Sequence, residues 1–124
     1  MEHKPGFLRL AEDARRRIRE LSIDEVRAMQ QAGEQFHLFD VREQDEFARD
    51  HLPGARSLGK GIIERDIETT IPDPDAPIVL YCGGGYRSAL ATDALRQMGY
   101  TNVRSMWGGW RAWTEAGYPV TTDE

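Results

Sequence analysis

The chain has 124 residues, of which 40% are hydrophobic and 30% charged, with a net charge of -5. That size and balance suit one globular domain with a single core, and the acidity argues against nucleic acid as a main partner. No apolar run approaches the ~20 residues that cross a bilayer, so no membrane partner is expected. The polar start is not read as a secretory signal, and one cysteine excludes a disulfide within the chain. A free thiol that must stay reduced leads to the expectation of a cytoplasmic protein, monomeric or homodimeric.

From the N-terminus, Phe7, Leu10, Ala11, Ala14, Ile18 and Leu21 share one face of a helix expected over residues 7–21. Its cluster Arg15-Arg16-Arg17 with Arg19 is interspersed with Glu12, Asp13 and Glu20, so it reads as a solvated face. Ser22 caps a second helix, with Glu25 completing a capping box; that helix buries Ile23, Val26 and Met29 and stops near Gly33. Phe36 to Val41 is a short apolar strand of the kind covered on both faces. Glu43 to Arg49 reads as a short helix presenting Phe47. His51 to Ala55 then turns into a brief strand around Ala55 to Leu58.

The spacing of Ile62, Ile63 and Ile67 fits a helix within residues 59–71. The prolines at 72, 74 and 77 enforce a loop. Ile78 to Tyr81 is the next strand, followed by a glycine loop and a helix over Ala89 to Met98 that Gly99 closes. Asn102 to Met106 is a further strand, and Trp107 to Ala116 a last helix ended by Gly117 and Pro119. Trp107, Trp110 and Trp113 read as core or near-core packing on it. Short apolar strands alternating with helices predict an α/β fold with a parallel sheet covered on both faces.

The sole cysteine stands in Tyr81-Cys82-Gly83-Gly84-Gly85-Tyr86-Arg87-Ser88, at the carboxyl end of a central strand. Open α/β sheets bind ligands at that edge. Amides at a helix start favour an anion, and such settings lower thiol pKa values from about 8.5 to roughly 3.5–7.5. Gly83, Gly84 and Gly85 carry no Cβ, so successive amides can turn inward into an anion-binding nest. Arg87 adds a fixed charge suited to an oxyanion. Ser88 is placed either to cap the following helix or to hydrogen-bond the sulfur. A buried structural cysteine or a merely tight turn explains the parts of this segment separately but not together. A nucleotide site is disfavoured, because the loop lacks the Gly-Lys-Ser/Thr ending of a phosphate-binding loop.

Two anion chemistries remain. Phosphate monoester cleavage expels a basic alkoxide and gains from a positioned general acid. Sulfur transfer from thiosulfate expels sulfite, a weak base that needs no proton. A persulfide sulfur is also smaller than a tetrahedral phosphate and calls for a tighter ring of amides. Only four residues separate Cys82 from Arg87.

Over roughly residues 21–120 the chain resembles the rhodanese-like sulfurtransferases. The resemblance rests on Cys82-x-x-Gly85-x-Arg87-Ser88 and on an upstream series of Asp40-Val41-Arg42, Glu46-Phe47 and His51-Leu52-Pro53-Gly54-Ala55. Downstream it rests on Gly108-Gly109-Trp110, Trp113 and Gly117-Tyr118-Pro119-Val120. It implies a three-layer α/β/α fold with about five short parallel strands, a helical extension over residues 1–20 and one domain over 21–124. It also implies a persulfide on Cys82, loaded from thiosulfate or a similar donor and passed to cyanide, a thiol or a protein acceptor, without metal or organic cofactor. Gly83, Gly84, Gly85, Tyr86, Arg87 and Ser88 would supply the amide ring.

Phosphatases of the cell-cycle type and arsenate reductases of that fold have a loop one residue longer, and remain the alternative enzymes. A non-turnover persulfide carrier is the alternative of another class. Asp40 and Arg42 are read chiefly as an ion pair fixing the strand ends, with steering of the loop's charge as the second reading. His51 is read as a hydrogen-bonded turn residue. Asp50 departs from the glycine common before that histidine, and the helix at 7–21 precedes the usual domain, where it would cover a sheet face or mediate dimerisation.

Overall fold

The computed structural model describes residues 3–122. The expected boundaries 1–20 and 21–124 therefore reach beyond the described residues at 1, 2, 123 and 124. Five parallel strands form one sheet: β1 (Arg19–Leu21), β2 (His37–Asp40), β3 (Arg56–Ser57), β4 (Ile78–Tyr81) and β5 (Val103–Met106). Their spatial order is β1-β5-β4-β2-β3, which puts β4 in the middle. Six helices surround them: α1 (Pro5–Arg15), α2 (Ile23–Gln31), α3 (Gln44–Arg49), α4 (Ile63–Thr70), α5 (Tyr86–Gln97) and α6 (Gly109–Glu115).

The apolar run of β4 explains its central place, since all four of its residues are buried. A strand alternates its side chains between faces. Ile78 and Leu80 accordingly join one core with Ile63 and Ile67 of α4 and Leu95 of α5. Val79 and Tyr81 join a second core with Val26 and Met29 of α2 and Trp113 of α6. The sheet is thus covered on both faces, as its unbroken hydrophobic strands require. The capping box forms as read: the Ser22 hydroxyl accepts from the Glu25 amide at 3.0 Å, and the Ser22 amide donates to the Glu25 carboxylate at 2.9 Å. Among the described residues, no helix is long and apolar enough to cross a membrane.

The helix expected over 7–21 is corrected. It ends at Arg15 in a tightened turn, with the Arg16 amide donating to Asp13 and the Arg17 amide to Ala14. Arg19 to Leu21 then run as an edge strand against Arg104 to Met106. Ile18 and Leu21 continue the helical spacing by coincidence, and a three-residue strand has too little pattern to oppose it. Leu10, expected on the inner face, is 59% exposed; Ala11 and Ala14 bury that face, and α1 lies on α5.

Two of the clustered arginines are tied down. Arg15 bonds Glu20 at 2.8 Å and stacks over the Trp107 ring. Arg17 reaches both Asp13, at 2.7 Å, and Asp93 of α5, at 2.9 Å. Arg16 and Arg19 are the other, exposed members of that face, Arg16 with a loose ion pair to Asp13 at 3.7 Å. Trp107 precedes α6 instead of belonging to it, and is partly exposed; Trp113 is fully buried and Trp110 partly so.

Candidate functional site

Cys82 follows β4 directly, and its side chain lies buried at the floor of a cleft. The N-terminus of α5 faces it. The first amides of a helix have no intrahelical acceptor and are free to serve a ligand. The Ser88 amide donates to Cys82 Sγ at 3.3 Å, and the Gly85 amide, at the N-cap, donates at 3.1 Å. The Ser88 hydroxyl lies 3.5 Å from the sulfur. Ser88 therefore serves the sulfur through both its amide and its hydroxyl, while Gly85 occupies the cap position. Gly83, Gly84, Tyr86 and Arg87 line the cleft without a hydrogen bond to the sulfur.

The loop amides can turn toward Sγ because the loop carbonyls are held from behind. The Trp110 amide donates to the Cys82 carbonyl at 2.8 Å, the Arg111 amide to that of Gly83 at 2.9 Å, and the Gly108 amide to that of Gly84 at 3.2 Å. These three donors stand at the start of α6. The approach is so close that any Cβ at Gly109 would collide with the backbone of Cys82 and Gly83.

Not all three loop glycines need to be glycine for conformational reasons. Gly85 has φ +114, whereas Gly83 and Gly84 have no positive φ. A Cβ at Gly85 would also stand 2.7 Å from the Trp107 ring. The lack of a Cβ, read as useful at all three positions, is required by the backbone dihedral only at Gly85. Gly83 is instead approached from the side by Arg87, whose Nη2 would lie 3.2 Å from a Cβ there.

Arg87 reaches across the cleft mouth to α3, where it bonds Glu46 at 3.1 Å. Partial burial pushes the Glu46 carboxyl up, but the Arg87 hydrogen bond and the Glu43 amide outweigh it and hold the group below its usual range. Burial likewise works against the Arg87 charge, and the hydrogen bond to the Glu46 carboxylate leads the effects that more than restore it. The cation is thereby fixed near the thiol.

Asp40 and Arg42 form a buried ion pair at 2.7 Å at the end of β2. Arg42 also donates to the Asp50 carbonyl at 2.7 Å and lines the cleft. Burial and the Asp40 charge push the Tyr81 phenol far up, and its oxygen accepts from the Leu52 amide at 3.1 Å. This network ties the end of β2 to the turn after α3. His51 sits within it, buried, with Nδ1 2.9 Å from the Phe47 carbonyl and its ring stacked on Phe47 at 3.7 Å. That is the turn role read for it.

Four features escaped the sequence reading. Ser105 of β5 places its hydroxyl 2.8 Å from that of Ser88. Gly109 clamps the loop, and Trp107 covers Gly85. Asp50 accepts from Trp110 Nε1 at 2.6 Å, so the residue that departs from the usual glycine closes one side of the cleft. Only the Gly108-Gly109 pair carried a signal, as adjacent glycines before a helix.

A family model described as "Rhodanese-like domain" matches residues 22–116. The chain is 30% identical to thiosulfate sulfurtransferase 18 of Arabidopsis thaliana, over 84% of each chain. It is also 30% identical to the human thiosulfate:glutathione sulfurtransferase, covering 77% of this chain and 92% of that one. Among solved structures, a Rhodopseudomonas palustris protein of unknown function, described as a possible tyrosine phosphatase, superposes with a TM-score of 0.84. That protein is 30% identical, with 98% of each chain covered.

Proposed function

The chain belongs to the rhodanese-like domain family, and we propose that it is a thiosulfate-type sulfurtransferase working through a persulfide on Cys82. The observation that carries this reading is the small amide pocket around Sγ, with donors at 3.1 and 3.3 Å from Gly85 and Ser88. Preorganised backbone donors aimed at one atom stabilise charge there without reorganisation.

In the first step the Cys82 thiolate attacks the outer sulfur of thiosulfate. A new S–S bond forms, the donor's S–S bond breaks, and its electron pair leaves on sulfite. In the second step an acceptor thiolate attacks the outer sulfur of the persulfide. The Cys82–sulfur bond breaks, its electron pair returns to Sγ, and the acceptor departs as a persulfide. Neither leaving group needs a general acid, which agrees with His51 being used up in a turn. Arg87, fixed by Glu46, draws the anionic donor toward the loop. The thiosulfate-acting relatives support the choice of donor.

The description of the Rhodopseudomonas palustris relative favours a second reading, a phosphatase. The short loop, with four residues between Cys82 and Arg87, weighs against it. Parallel assays separate the two: sulfite release from thiosulfate with a thiol acceptor, and phosphate release from an aryl phosphate. The sulfurtransferase reading expects the first to depend on Cys82 and the second to stay at background. Cys82-dependent phosphate release without sulfite release would replace it. Sulfur loading without delivery to any acceptor would instead indicate a carrier.

A further inference from the structure

An open cleft of about 850 Å³ lies above Cys82. A water takes about 30 Å³ of the liquid, so a five-atom anion such as thiosulfate fills only a small part of it. Part of the wall comes from outside the segment matched by the family model, because His3, Lys4 and Phe7 face the same cleft as Cys82. These residues are held against the loop. His3 and Phe7 pack on the Tyr86 ring, with centroids 5.1 and 6.2 Å away, and the Tyr86 hydroxyl donates to Glu12 of α1 at 3.3 Å.

The cations of this cleft fall into two groups. Arg42, Arg49 and Arg87 each have a carboxylate partner, in Asp40, Asp45 and Glu46. Lys4 and Arg111 line the cleft and form no ion pair among the described residues. The cleft's own carboxylates are occupied, Glu46 by Arg87 and Asp50 by Trp110. Two positive charges are therefore left over, beside the apolar surfaces of Phe7, Tyr86 and Trp110. Arg111 Nη1 stands close to Gly84, 3.9 Å from where a Cβ would be, so one of these charges borders the reactive loop.

Resting on the sulfurtransferase reading, we propose that Lys4 and Arg111 form a carboxylate subsite for the acceptor thiol, so that the start of α1 selects the acceptor. The acceptor's carbon skeleton lies on the aromatic wall and its carboxylate meets the two cations. Arginine's planar fork suits a carboxylate, and lysine adds a mobile charge. A thiol that keeps an amino acid's carboxylate carries such a group. The thiolate then attacks the outer persulfide sulfur, and the electron pair of the broken bond returns to Cys82.

The test starts from protein loaded with thiosulfate and freed of excess donor. Its loss of sulfur mass is timed with mercaptosuccinate, which carries carboxylates, and with uncharged thioglycerol. The readout is the ratio of the two rates, which a general loss of activity does not move. Both side chains are exposed, so Lys4→Gln and Arg111→Gln leave the packing alone. Each should lower the ratio by about tenfold, the scale of one charged hydrogen bond, and the pair by more. Added salt should lower the ratio of the unsubstituted protein. An unchanged ratio in the double variant overturns the subsite alone. A protein that never loads sulfur overturns the sulfurtransferase reading and the subsite with it.

Discussion

The Ser105 hydroxyl lies 2.8 Å from the Ser88 hydroxyl, which in turn lies 3.5 Å from Cys82 Sγ. Both serines are fully buried, so the sulfur is backed by a two-hydroxyl chain running from β5 to α5. Ser105 orients Ser88 without touching the sulfur. Ser105→Ala should cost about 1 kcal/mol of stability and slow sulfur loading by up to about tenfold, the scale of one lost hydrogen bond. Single-turnover mass kinetics beside a thermal melt would check this. Unchanged loading would remove Ser105 from the site's support.

Gly85 combines φ +114 with a neighbouring Trp107 ring only 2.7 Å from a would-be Cβ. A left-handed conformation costs an ordinary residue about 1–2 kcal/mol before any clash is counted. Gly85→Ala should therefore destabilise the protein by more than that and displace the amide that donates to Sγ. Adding Trp107→Ala should relieve the clash but not the dihedral cost, restoring only part of the loading rate. Full recovery in the double variant would show that φ at Gly85 is immaterial.

Asp93 joins the turn after α1 to α5 through Arg17. The Arg17 hydrogen bond, helped by Arg96 and Gln97, outweighs burial and holds its carboxyl below the usual range. A carboxyl depressed in the folded state stabilises the protein above its unfolded pKa, near 3.9, and that stability is lost as pH falls through the lower folded value. Asp93→Asn should thus melt below the unsubstituted protein at neutral pH. The gap should narrow as the pH drops below about 4. Melting curves across pH 3 to 7 read this directly, and a gap independent of pH would contradict it.

Arg87 is fixed by Glu46 rather than free over the loop. Removing it as Arg87→Ala should raise the thiosulfate concentration for half-maximal loading by about tenfold to a hundredfold, the range for a hydrogen bond to a charged group. Arg87→Lys should recover little, since lysine lacks the fork that spans Glu46 and an anion together. Loading at the original thiosulfate concentration in Arg87→Ala would assign donor capture elsewhere.

The parts of this molecule legible in its sequence are those with strong local patterns. The unbroken Ile78–Tyr81 run placed β4 in the sheet interior, and the glycines with the following helix placed Cys82 against a helix start. Ser22 and Glu25 marked the start of α2 to the residue. The misses are non-local. Arg19–Leu21 is a strand only because β5 lies beside it. Ser105 looks like any small strand residue until β5 and α5 bring it under Ser88. Trp107 fits a helical repeat with Trp110 and Trp113, yet its ring is taken up by Gly85 and Arg15. The contact of α1 with the cleft depends on tertiary packing against Tyr86, which helical spacing does not encode.

The central claim is that Cys82 carries sulfur. Intact mass before and after incubation of reduced, folded protein with thiosulfate tests it most directly. The proposed chemistry requires a gain of one sulfur atom that disappears on adding a thiol or cyanide and never occurs in Cys82→Ser. A folded, reduced protein whose mass stays unchanged, or a Cys82→Ser variant that gains the same mass, would contradict it.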